Sequence, residues 1–98
     1  MDEDVHAAVG GLRSRIAAER VSIAAVNSSL NQEPMREFLK QATHHVDDAE
    51  GILRGVEKSL TPWVLIRGSN LFLGLATQHR QKVEGARRTY GPDVTTVG

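Results

Sequence analysis

Glu19, His45 and His79 are the side chains whose types and spacing come nearest to chemistry. Two imidazoles and a carboxylate can hold zinc or iron. The same three groups can instead form a hydrogen-bonded polar layer that fixes the register of a helical bundle. Natural bundle metal sites usually draw a carboxylate and a histidine from one helix, three residues apart. None of these three residues belongs to a Glu-x-x-His or His-x-x-x-His pair, which favours the polar layer. A second cluster, His79, Arg80, Lys82, Arg87 and Arg88, has the charge to contact phosphates. Cations at the end of a helix also complement its dipole. Few aromatic residues accompany them for base stacking. Neither a nucleophile elbow nor a glycine-rich phosphate loop is present. The expectation is therefore a non-enzymatic protein with no cofactor and no nucleic-acid partner.

Those groups must be placed by helices. The chain is 98 residues long, enough for one domain with a modest core. It has no cysteine, which removes disulfides and thiolate metal sites and fits a reducing, cytoplasmic setting. Acidic and basic residues balance at 12 each, so no global field attracts polyanions. The balance is uneven along the chain. Residues 61–98 hold only two acids, Glu84 and Asp93, against five Lys and Arg. The acidic start lacks the basic and apolar regions of a secretory signal, and no apolar run is long enough to span a membrane.

Apolar residues recur at alternating spacings of four and three, the heptad pattern of packed helices. The first series is Val5, Val9, Leu12, Ile16, Glu19, Ile23, Val26 and Leu30, with Glu19 its one charged member. The second is Met35, Leu39, Ala42, Val46, Ala49, Leu53, Val56 and Leu60, flanked by Phe38, His45 and Ile52. The third reads Leu65, Ser69, Phe72, Ala76, His79, Val83, Ala86 and Tyr90. Pro34 and Pro62 suit the first turn of a helix, where a missing N–H costs nothing. Thr61 is placed to cap the third helix, and Gly91-Pro92 to stop it. Helices are thus expected at about 4–30, 34–59 and 62–90, with a flexible tail at 91–98. The third is expected to run through Gly68 unbroken or mildly kinked. Short connections make neighbours antiparallel. The predicted fold is all-α, an up-down-up three-helix bundle with coiled-coil-like heptad packing.

Residues 61–75 carry the densest apolar run and the only Trp. The apolar arc there spans about 200°, whereas a core-facing stripe needs somewhat over 100°. The excess predicts an interface with a protein partner or a second copy of the chain. Its expected anchors are Trp63, Ile66, Leu71, Phe72, Leu73 and Leu75.

Overall fold

The computed structural model describes residues 2–30 and 33–90, with side chains as far as Arg87. Three helices account for nearly all of them: α1 (Glu3–Asn27), α2 (Glu33–Arg54) and α3 (Pro62–Tyr90). They form the up-down-up three-helix bundle. The expected tail at 91–98 lies outside the described residues.

Local chemistry sets the helix ends. Asp2 accepts a hydrogen bond from the Asp4 N–H at 2.9 Å and caps α1. Glu3 and Asp4 then sit against the positive end of the helix dipole. At the other end, the Arg36 guanidinium donates to the Leu30 carbonyl through both Nε and Nη2, tying the end of the first arm to α2. The second helix stops at Arg54, earlier than its apolar spacing suggests. A single 3-10 turn, Val56–Lys58, follows Gly55. The seam therefore ends at Val56, and Leu60 is fully exposed rather than in the core. Thr61 holds the expected N-cap position immediately before α3, and its carbonyl accepts from the Val64 N–H at 3.1 Å. Its hydroxyl lies against the Ser59 hydroxyl, and its N–H donates to Ser59 Oγ at 2.9 Å. This serine turn fixes the chain just ahead of Pro62.

All eight positions of the first heptad series are buried, Glu19 included. So are six of the eight in the second, while Met35 packs half-buried against the core. The third series needs a correction. Its core positions are Ile66, Ser69, Leu73, Ala76 and Val83. Leu65 and Phe72 are half-buried on one flank. Positions 65 and 66 are both apolar, as are 72 and 73, so hydropathy alone fits either phase.

Small residues bring α2 and α3 together. The Ser69 hydroxyl, fully buried, donates to the Ala49 carbonyl at 2.7 Å. One heptad further along this antiparallel pair, Ala42 comes level with Ala76, and both are buried. The α2/α3 contact is the most extensive in the molecule. Against this pair α1 is fixed by polar links on both sides. Arg20 reaches Asp47 at 2.9 Å, and Arg15 donates to Asn70 Oδ1 at 2.7 Å. Gly68 does not interrupt α3, which is continuous for 29 residues.

Candidate functional site

The expected polar layer divides into two, one on each side of α3. On the α1 side, Glu19 meets Arg80. The guanidinium donates through Nε to Glu19 Oε2 and through Nη2 to Oε1 at 3.2 Å. Its Nη1 donates to Glu84 at 2.7 Å. The Thr77 hydroxyl lies 2.9 Å from Glu19 Oε1 and 3.1 Å from the Leu73 carbonyl, either of which it can serve. The bond to Glu19 raises the Arg80 pKa, burial opposes the rise, and Glu84 adds to it. Arg80 is thus a fixed cation that two carboxylates neutralise, leaving it unavailable to a phosphate.

On the α2 side, His45 and His79 meet with ring centres 5.1 Å apart. Phe72 stacks on His45 at 6.0 Å, and Phe38 lies 5.9 Å from His79. So two of the three metal candidates are brought together, and Glu19 is not with them. The cause is the phase of α3. Leu73 and Arg80 lie against α1, which leaves His79 to face the flank of α2. Among the described residues, no cluster of three or more His, Asp or Glu is arranged to hold a metal ion.

The six expected interface anchors also separate. Ile66 and Leu73 belong to the monomer's core, Leu73 with 1% of its surface exposed. Phe72 is half-buried on His45. Leu75 is half-buried, while Trp63 and Leu71 are exposed, Leu71 at 64%. Two residues outside the expected set join them on the outside, Leu60 and Val64. Val64, Arg67, Leu71 and Gly74 repeat the four-three spacing on the face of α3 turned away from Ile66 and Leu73. This is a second seam, with Trp63 on one flank and Leu75 on the other. A Cβ placed on Gly74 would meet nothing within 4 Å, so the backbone there is open to close approach. The α3 helix carries no acid before Glu84, and Arg67 is the seam's only charge.

One further feature had no sequence signal beyond its helical faces. An open groove of about 500 Å³ runs between α1 and α2, floored by Ile23 and Leu39 and edged by Arg20, Arg36, Lys40 and His44. Arg20 and Arg36 are already engaged, by Asp47 and by the Leu30 carbonyl.

Comparison with protein-family models, with curated proteins and with solved structures found no match to this chain. Among the described residues, no helix is long and apolar enough to cross a membrane. The functional reading rests on the geometry alone.

Proposed function

We propose that the protein is a helix-docking module, and that the outward seam of α3 receives an apolar helix bearing a carboxylate. The observation that carries this is the pairing of exposed Val64 and Leu71 at heptad positions with Arg67 between them. Isolated exposed apolar residues are ordinary. Several on one helix face, in phase with each other and next to an exposed Trp, mark a surface awaiting a partner.

The charge on the seam selects the partner. A second copy bound about a two-fold axis would bring the two Arg67 side chains within about a turn of each other, with no carboxylate from either α3 seam to separate them. A helix with Leu at its a and d positions and Glu opposite Arg67 fits both parts of the surface. This is recognition of an amphipathic helix through its anchors.

A designed peptide of about three heptads provides the probe. One version carries Glu at its central seam position and the other carries Lys. Fluorescence anisotropy of the labelled peptide should show saturable binding, with the Glu version tighter. Leu71→Glu should abolish binding while leaving helicity intact, because Leu71 contributes nothing to the core. A protein that binds neither peptide, or a Leu71→Glu chain that binds as well as the parent, would refute the proposal. Light scattering at high micromolar concentration adds the remaining outcome: a stable dimer broken by Leu71→Glu would show that the seam serves a second copy instead.

A further inference from the structure

His45 and His79 lie outside the proposed docking seam, on the far flank where α2 and α3 meet. We propose that they form a two-histidine site for one zinc ion, with water completing the coordination.

Three observations meet there. The first is spacing. Two imidazoles on a tetrahedral zinc, with Zn–N bonds of about 2.0–2.1 Å, have ring centres roughly 5 Å apart. The observed separation is 5.1 Å, with the rings tilted at 54°. The pair is therefore already at the distance that a shared ion requires.

The second is the state of His79. Its Nδ1 lies 2.8 Å from the Leu75 carbonyl oxygen. A carbonyl only accepts, so Nδ1 carries the proton and the neutral ring keeps its lone pair on Nε2. Metal-bound histidines are held in this way, with the second nitrogen donating to a carbonyl that fixes the ring and raises its basicity.

The third is the state of His45. Its Nδ1 is buried and has no hydrogen-bond partner among the described residues. A buried ring nitrogen without a partner costs free energy in either tautomer. A cation shared with His79 offsets that cost. Phe72 stacks on His45 and the partly exposed Phe38 packs beside His79, which helps to fix the orientation of both rings.

Zinc fits better than a hard cation, since imidazole suits late first-row metals and magnesium or calcium take oxygen ligands. With ligands from two helices, the ion would fasten α2 to α3 at mid-length. Glu19 is not required, because Arg80 and Thr77 hold it on the other side of α3.

Equilibrium dialysis against zinc, followed by thermal melting, tests the site on the full chain. The expected result is one zinc per chain and a melting temperature higher by about 5–10 °C when zinc exceeds its dissociation constant severalfold. Chelator should reverse both. His45→Gln and His79→Gln should each lose the bound ion and the shift. His6→Gln and His44→Gln, which alter exposed histidines, should keep them. Because the shift is read against each variant's own zinc-free melt, a destabilised His45→Gln chain still reports, and His79→Gln gives a second reading. No zinc retained by the parent chain, or zinc retained by His79→Gln, would overturn the proposal.

Discussion

Leu73→Glu is expected to unfold the protein, while Leu71→Glu, two residues away, leaves it folded. Leu73 is buried against the other helices at 1% exposure. Replacing it removes about 2–5 kcal/mol of packing and transfer free energy, as for other large-to-small core changes. It also buries a carboxylate beside Arg80, whose guanidinium Glu19 and Glu84 already engage, which costs further. The total of about 5 kcal/mol or more rivals the whole stability of a small domain. Circular dichroism in water should show lost helicity for Leu73→Glu, and Leu73→Ala should fold with a lowered urea midpoint. Leu71→Glu should stay within about 0.5 kcal/mol of the parent, as surface changes do. Equal tolerance at the two positions would mean that the phase of α3 is wrong.

The second large effect belongs to the polar layer. Glu19→Ala should destabilise the protein by about 2–4 kcal/mol. Arg80 is 16% exposed and donates twice to Glu19, so the substitution strands a guanidinium that solvent reaches poorly. The figure sits at or below the usual cost of breaking a buried pair because Glu84 still accepts from Nη1. Removing both partners is different. A Glu19→Leu, Arg80→Leu double variant should recover most of the loss, since two apolar residues need no partner. Urea titration of the parent, the Glu19→Leu and Arg80→Leu single variants and the double variant gives the coupling between the two side chains directly. Additive losses, with no recovery in the double variant, would show that the pair does not act as a unit.

These two residues also explain what was legible in the sequence and what was not. The α1 seam could be read completely because its spacing never breaks and the only apolar residues directly beside its positions are alanines. Most of the α2 seam was equally clear, up to Val56. The apolar spacing continues past Gly55 to Leu60, but the helix gives way there to a 3-10 turn and Leu60 leaves the core. In α3 the hydrophobic pattern was ambiguous by one residue, since Leu65 and Ile66, then Phe72 and Leu73, offer two apolar seams. A signal that resolves it was present. Glu19 is the single charge in the α1 seam, and a buried carboxylate needs a cation. Arg80 supplies one and His79 does so poorly, so charge pairing favours the seam through Ile66, Leu73 and Arg80. The same shift divides the candidate site. It carries His79 away from Glu19 to His45, takes Ile66 and Leu73 into the core, and turns Val64 and Leu71 outward.

The docking proposal depends on Arg67 sitting within an apolar seam and choosing the sign of its partner. A charge reversal tests this most directly, and Trp63, the chain's only Trp, reports it from the edge of the seam. The measurement is the Trp63 emission shift on titration with the Glu and Lys peptides, for the parent chain and for Arg67→Glu. The parent should prefer the Glu peptide, and Arg67→Glu should prefer the Lys peptide, each with a blue shift as Trp63 is covered. An unchanged preference after the reversal, or no shift with either peptide, would contradict the account.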